Sequence, residues 1–120
     1  MKSIQELVNT WFEIWDNGNY QELPISSGFK HHSPYGTIDG KEAYMDLIVA
    51  NKDKFLGNKI ELEDCLFGEG KACVRYTIHN PGFSMVVSEW IYAKNGLITE
   101  IFAYYNIEGE ISDSRKLKGG

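Results

Sequence analysis

The dipeptide Asn95-Gly96 constrains the fold of this chain more than any other feature, because strand-forming residues flank it on both sides. Asn and Gly tolerate the positive φ angles that the two-residue turn of a β-hairpin requires. A two-residue loop fixes the register of the hairpin, so that every second residue faces the same side of the sheet. The residues predicted for the inner side are Val86, Ser88, Trp90, Ile101, Ala103 and Tyr105. The residues predicted for the outer side are Met85, Val87, Glu89, Ile91, Glu100, Phe102 and Tyr104.

Two further turns extend this hairpin into a meander of four strands. Residues 68–70 (GEG) predict a three-residue turn between strands at 60–67 and 71–79. Residues 80–82 (NPG) predict the loop that leads into the last hairpin. The second half of the chain is therefore expected to form an antiparallel sheet with one apolar face.

The turn at residues 68–70 also determines which side chains meet across the first strand pair. Centred on Glu69, it places Cys65 opposite Cys73, and it places Asp64 on the apolar side beside Val74. A buried Asp64 would be a candidate acid, because burial raises the pKa of a carboxyl. The alternative is that Asp64 binds backbone amides near the turn. The two cysteines are expected to be reduced thiols, with a cross-strand disulfide as the alternative, since nothing in the sequence indicates export.

The first half of the chain is predicted to be largely helical. Apolar residues with helical spacing cover residues 3–16 and are Ile4, Leu7, Val8, Trp11 and Trp15. A second helix is expected to begin after Asp39, in a sequence that resembles a capping box, and to end near Phe55. Between the two helices, residues 29–33 are predicted to be extended and residues 34–36 (PYG) to form a turn.

The composition limits the classes of partner. The chain has 120 residues and a net charge of −5, which fits one globular domain without the basic surface that nucleic acids or anionic membranes require. No apolar run approaches the roughly 20 residues of a membrane span. The N-terminal segment carries polar residues at helical spacing, unlike a signal peptide, so a cytoplasmic protein is expected. We expect a single domain over residues 1–109 and a polar tail over residues 110–120.

Two of the three histidines are adjacent, at His31 and His32. Neighbours in a strand point to opposite faces, and since Phe29 is expected in the core, His31 should point inward with Ser33. His31 is then either a general base or ligand hydrogen-bond donor, or a core histidine bonded to a backbone carbonyl or a tyrosine. No pair of histidines has the spacing of metal ligands, so no metal site is predicted.

Several stretches occur in an order that resembles a known superfamily. A helix with two Trp residues comes first, followed by FKHHSPYG, then by IDGKE at a helix start, and finally by NGLITEIFAYYN. In this order, residues 2–108 resemble the SnoaL-like, nuclear transport factor 2-like superfamily. The resemblance implies a cone-shaped α+β fold of SnoaL-like (cystatin-like) architecture. In this fold a strongly curved mixed or antiparallel sheet wraps around the N-terminal helices and leaves a pocket between them.

The resemblance also implies which positions could carry chemistry. The superfamily includes polyketide cyclases, ketosteroid isomerases, epoxide hydrolases and dehydratases, together with non-catalytic dimeric binding domains. The base, the acidic oxyanion donor and the tyrosine of the isomerases correspond here to Ser33, Ser88 and Trp11. Many SnoaL-like sequences carry an Asp where this chain has Asn106.

Two hypotheses for the function follow. The first is an acid–base enzyme of cyclase, isomerase or dehydratase type that acts without a cofactor on a small hydrophobic ligand, cyclic or polyketide-like. Its catalytic candidates are His31 and Asp64. Its ligand-binding candidates are Trp11, Trp15, Ser33, Tyr35, Tyr76, Ser88, Trp90, Ala103 and Tyr105. The alternative is a non-catalytic ligand-binding or protein-interaction domain whose cone is filled by tryptophans. The apolar outer side of the last hairpin predicts a homodimer through the outer sheet face.

Overall fold

The computed structural model describes residues 1–106 and 113–115, and this part of the chain packs three α-helices against one sheet. The helices are α1 (Ile4–Asn17), α2 (Lys41–Ala50) and α3 (Lys52–Phe55). The strands are β1 (Ile25–Ser33), β2 (Gly36–Asp39), β3 (Lys59–Gly68), β4 (Lys71–Asn80), β5 (Phe83–Lys94) and β6 (Leu97–Tyr104). Single 3-10 turns cover Tyr20–Glu22 and Asp113–Arg115. The domain boundary predicted near residue 109 lies outside the described residues.

Helix α1 forms where its caps and its apolar stripe predict it. The Ser3 hydroxyl accepts a hydrogen bond from the backbone N–H of Glu6, and the Glu6 carboxylate accepts one from Ser3 N–H, which completes a capping box. Gly18 ends the helix in the left-handed region, with a φ of 83°. The buried face packs toward β3 and β4 and consists of Leu7, Val8, Trp11, Ile14 and Trp15.

The second helical region differs from the prediction in two respects. Asp39 pairs with Lys30 as part of β2, and Gly40 begins α2 without a side-chain cap. The helix also breaks at Asn51, so that α2 and α3 replace one continuous helix. The Asn51 amide donates a hydrogen bond to the carbonyl oxygen of Leu47 at 3.0 Å, which satisfies one of the carbonyls that a helix end leaves free.

The sheet has the strand order β2-β1-β6-β5-β4-β3. β1 runs parallel to β6, and the other neighbouring strands are antiparallel. The helices cover one face, which becomes the inner face, and this arrangement confirms the predicted α+β cone-like architecture. No helix within residues 1–106 and 113–115 is long and apolar enough to cross a membrane.

A β-bulge at Thr99 changes the register predicted for the last hairpin. The two pairs nearest the turn form as predicted, but Trp90 pairs with Phe102 rather than with Ile101. The extra residue lets both Ile98 and Ile101 point inward, where each is fully buried. The inward position predicted for three residues of β5 is therefore wrong. The inner residues are Val87, Glu89, Ile91, Ile101 and Ala103, and the outer residues are Val86, Ser88, Trp90, Phe102 and Tyr104.

A second bulge, at Glu63, changes the register of β3 against β4. Leu62 pairs with Tyr76 as predicted, but the pairing is offset by one residue on the other side of the bulge. Gly68 pairs with Lys71, so the turn between the strands has two residues and not three. Because the bulge adds one residue to β3, the hairpin can have this shorter turn and still keep its apolar pairs at the end far from the turn.

The offset moves Asp64 and the two cysteines away from their predicted positions. Asp64 pairs with Arg75 and is exposed, and its Oδ1 accepts the Cys65 N–H at 3.0 Å. The buried position predicted for Asp64 is wrong, and the backbone contact is the alternative that the sequence allowed. Cys65 pairs with Val74, so it does not stand opposite Cys73 as predicted, and both thiols are free.

The outer face differs in composition from the one predicted. Val87 and Ile91 are buried on the inner side, and Met85 packs against the core, so these three do not belong to the outer face. Phe102 and Tyr104 lie there as predicted. The outer face nevertheless remains apolar, because its large exposed side chains include Leu66, Val86, Trp90 and Tyr104.

Candidate active site around Glu89

The centre of the inner face carries an acidic residue. Glu89 lies in β5 between Val74 of β4 and Ala103 of β6, and it is 3% exposed. Burial raises the pKa of its carboxyl from 4.5 to about 7, and a hydrogen bond from Tyr76 opposes this rise only in part. Oε1 of Glu89 has no hydrogen-bond partner among the residues that the structure describes. Buried polar atoms almost always have partners, so this oxygen marks Glu89 as a candidate functional group.

Two tyrosines interact with Glu89, and a third interacts with both of them. The Tyr76 hydroxyl of β4 donates its hydrogen bond to the carboxylate, and the phenol of Tyr44 in α2 interacts electrostatically with the same group. Tyr105, which follows β6, interacts electrostatically with both of these tyrosines. Burial raises the pKa of Tyr44 and of Tyr76 well above 10, so both phenols are neutral hydrogen-bond donors at pH 7.

His31 in β1 reaches the same cluster through Tyr44. Its ring stacks on the Tyr44 ring with 5.3 Å between the centroids, and the Phe29 ring lies 6.3 Å away. Burial, with a smaller contribution from the neighbouring His32, lowers the pKa of His31 from 6.5 to about 4. The ring is therefore uncharged at pH 7 and keeps a basic nitrogen. His31 thus stacks on the ring of Tyr44, whose phenol also interacts electrostatically with Glu89. The catalytic role of His31 stays a prediction.

Solved structures share this arrangement of strands and helices. An NTF2-like protein of unknown function from Cytophaga hutchinsonii is 19% identical, with a TM-score of 0.76 over 88% of this chain and 92% of its own. An NTF-2 like protein of unknown function from Burkholderia xenovorans is 15% identical, with a TM-score of 0.76 over 93% and 89% of the two chains. The chain has the NTF2-like fold.

A third solved structure of similar fold has a name that refers to an enzyme fold. It is a hypothetical protein with a ketosteroid isomerase-like fold from Catenulispora acidiphila, solved with trimethylamine. It is 16% identical, with a TM-score of 0.70 over 85% of this chain and 86% of its own. No protein-family model and no curated protein matches the sequence. The chemistry of this NTF2-like chain therefore has to be argued from its own side chains.

Four predicted ligand-binding residues lie in the interior of the NTF2-like cone. Trp11 and Trp15 are buried in α1, with their rings edge to face at 5.6 Å, and Trp11 also stacks on Tyr44 at 6.3 Å. Tyr76 and Ala103 are buried on the inner face of the sheet. The tryptophans fill the side of the cone under α1, and Tyr76 alone of these four supplies a polar group next to Glu89.

Three more predicted residues lie at the rim, where β1 and β6 end. The Ser33 hydroxyl accepts the Tyr35 N–H at 3.1 Å, and Tyr35 is 74% exposed. The Tyr35 ring lies 6.1 Å from the ring of Tyr105, which is half-buried. A cleft of about 360 Å³ opens beside them and is lined by Pro34, Val86, Tyr104, Tyr105 and Asn106.

The remaining predicted site residues do not join this group. Ser88 and Trp90 lie on the outer face, with Trp90 44% exposed, and Asp64 is exposed on β3. Their predicted positions are wrong for one reason: each was derived from a hairpin without a bulge. Glu89 and Tyr44 were missed as site residues. The three-residue spacing of Ile98 and Ile101 is the sequence feature that could have revealed Glu89, because two core residues at that spacing require a bulge.

His32 lies on the outer face, as the alternation in β1 predicts. Its Nε2 lies 2.6 Å from Oε2 of Glu100, its Nδ1 lies 2.8 Å from Oγ1 of Thr37, and its ring stacks on Phe102 at 4.3 Å. Both ring nitrogens are thus used to connect β1 with β2 and β6. No group of three or more His, Cys, Asp or Glu side chains suited to a metal ion occurs within residues 1–106 and 113–115.

Proposed function

We propose that this protein binds a small neutral ligand through a carbonyl oxygen and catalyses proton transfer at the carbon beside that carbonyl. The observation that carries the proposal is the unpartnered Oε1 of Glu89 in a fully buried carboxyl. With its pKa raised to about 7, the carboxyl is protonated in a large fraction of molecules at neutral pH. A protonated Glu89 can donate a hydrogen bond from the oxygen that Tyr76 does not occupy.

The charge that develops during proton transfer decides which groups are needed. Removing a proton beside a carbonyl places negative charge on the carbonyl oxygen, and buried neutral donors stabilise that charge strongly. Glu89 is such a donor, and Tyr76 supports it through their shared hydrogen bond. The side chains that neighbour Glu89 in the sheet are apolar, so the ligand should be hydrophobic apart from its oxygen. They are Val74, Val87, Ile91 and Ala103.

His31 is the group that we assign as the base. Its low pKa keeps the ring neutral throughout the range in which Glu89 is protonated. Such pairs, with pKa values pushed apart by their surroundings, are typical of acid–base sites. The enzyme should therefore be active while His31 is neutral and Glu89 protonated, and its rate should fall above a pH of about 7.

The test follows the conversion of 3-cyclohexenone to its conjugated isomer by ultraviolet absorbance. Glu89→Ala should lower kcat by about 10²- to 10³-fold, the usual cost of removing one donor to a developing oxyanion. Ser88→Ala is the matched control, because Ser88 is the next residue on the same strand but faces outward. Absence of turnover in the wild-type protein, or equal rates in both variants, would contradict the enzyme hypothesis.

The exposed outer face favours a second candidate, a homodimeric binding domain without catalysis. Trp90 and Tyr104 are 44% and 58% exposed on neighbouring strands, and Val86 and Leu66 add further apolar surface. Soluble monomers rarely leave a contiguous patch of this kind uncovered. A second copy of the same face would cover it with two-fold symmetry. This candidate does not exclude the first, since the inner and outer faces are separate.

A further inference from the structure

We propose that the cleft at the end of β6 is the entrance to the Glu89 site and that the Tyr105 side chain closes it. This inference rests on the proposed function, because it describes how a ligand would reach the unpartnered oxygen. Glu89 is only 3% exposed, so no ligand can contact its carboxyl unless a neighbouring side chain moves. One of the surrounding groups must therefore be displaced when the site fills.

Tyr105 borders both the site and the cleft. Ala103 pairs with Glu89 and points inward. Because side chains alternate between the two faces, the next residue expected to point inward is Tyr105. Its phenol interacts electrostatically with Tyr44 and Tyr76, the two tyrosines that interact with Glu89. On its other side, Tyr105 forms part of the wall of the 360 Å³ cleft. Tyr105 is therefore the side chain that the cleft and the surroundings of Glu89 have in common.

Of the three tyrosines, Tyr105 is the one that can move at the lowest cost. Tyr44 and Tyr76 are buried in a helix and in a central strand, whereas Tyr105 is half-buried and lies just beyond the end of β6. Its ring contact is with Tyr35, which is 74% exposed and lies in the turn between β1 and β2. Rotamer changes in partly exposed side chains are fast and need no repacking of a core.

The cleft also limits what can pass. Its volume lies at the lower end of the range of small-molecule sites, roughly 300–1,000 Å³. None of the five residues that line it is charged, and they are Pro34, Val86, Tyr104, Tyr105 and Asn106. The entrance therefore suits a compact, uncharged, ring-shaped molecule with one hydrogen-bonding oxygen.

Stopped-flow fluorescence with 2-naphthol tests the assignment. Tyr105→Ala should raise the association and dissociation rate constants together, by about 10-fold or more, because it removes the barrier and leaves Glu89 in place. The matched control is Tyr92→Ala, which removes an outward-facing ring of β5 that packs on Phe102 and does not line the cleft. That variant should change both rate constants by less than about 2-fold. Equal acceleration in the two variants, or no acceleration in Tyr105→Ala, would overturn the assignment.

A second measurement needs no ligand. Carboxyl ¹³C NMR of the full chain should show the pKa of Glu89 falling from about 7 toward 4.5 in Tyr105→Ala, because water then reaches the carboxyl. Tyr92→Ala should leave that pKa unchanged. If 2-naphthol fails to bind any variant but the pKa falls in Tyr105→Ala alone, the proposed function is wrong and the entrance stands. If the pKa stays the same in Tyr105→Ala, the entrance is wrong whatever the ligand does.

Discussion

Buried Glu89 and half-buried His31 should impose opposite pH dependences on the stability of this protein. The pKa of Glu89 is raised from 4.5 to about 7 on folding, so the folded state binds more protons across that interval. The free energy of unfolding should then fall by about 3 kcal/mol as the pH rises through it, at about 1.4 kcal/mol per unit of pKa. The pKa of His31 is lowered from 6.5 to about 4, so its contribution is lost as the pH falls through that interval.

The two slopes should cancel in the wild-type protein between pH values of about 4.5 and 6.5. In the Glu89→Gln variant the free energy of unfolding should therefore rise with pH in this range. In the His31→Gln variant it should fall with pH. Urea unfolding at several pH values measures both. A variant whose profile keeps the wild-type slope would show that the replaced group is not buried in its neutral form.

The adjacent histidines should separate activity from stability. His31→Ala should abolish turnover of the cyclohexenone, because it removes the proposed base. His32→Ala should leave turnover unchanged but lower the free energy of unfolding by about 1–2 kcal/mol, since it removes a charge-assisted hydrogen bond to Glu100 and a stacked ring from Phe102. Steady-state kinetics and urea unfolding of the two variants test this; the reverse pattern would refute the assignment of the two faces of β1.

At the scale of the elements, the bulge at Thr99 predicts that β6 tolerates a deletion better than an insertion. Without Thr99, Ile98 and Ile101 still alternate correctly, so the cost should be about 1 kcal/mol or less. An Ala inserted after Thr99 leaves the two isoleucines an even number of residues apart, but it adds a second residue of β6 that has no partner in β5. We expect a larger cost of about 1–3 kcal/mol, because buried backbone groups then lose their hydrogen-bond partners. Urea unfolding of the two length variants decides; equal costs would mean that the bulge does not set the register.

Much of the element structure follows from local rules, and the register does not. Caps and apolar spacing predict α1, and the Asn95-Gly96 turn predicts the first pairs of its hairpin. The identity of the inner face was mispredicted because β5 is apolar on both sides: Val86 and Trp90 alternate with Val87 and Ile91. Hydrophobicity alone could not choose between these faces. The sequence predicts Glu89 on the outer face for the same reason, since no local rule predicts that a carboxylate will be buried.

At the scale of the whole molecule, the outer face predicts a homodimer at micromolar concentration. Trp90→Glu places a charge in the middle of this face and should give a monomer or an aggregate. Lys54→Glu, on the exposed side of α3, is the control and should leave the assembly unchanged. Light scattering after size exclusion measures the mass. A wild-type mass near 13.7 kDa would refute the dimer, because that is the mass of one chain.

The parallel pairing of β1 with β6 sets the order in which this chain can fold. It joins residues far apart in sequence, such as His32 and Glu100, which are separated by 68 positions. The hairpins of β3 to β6 close over short loops and should form first, whereas the closure of the long loop to β1 is entropically costly and slow. Until β1 and α2 pack against the other strands, the Glu89 carboxylate is exposed to water and is ionised at neutral pH. The last step of folding and the uptake of a proton by Glu89 are therefore expected to be one event.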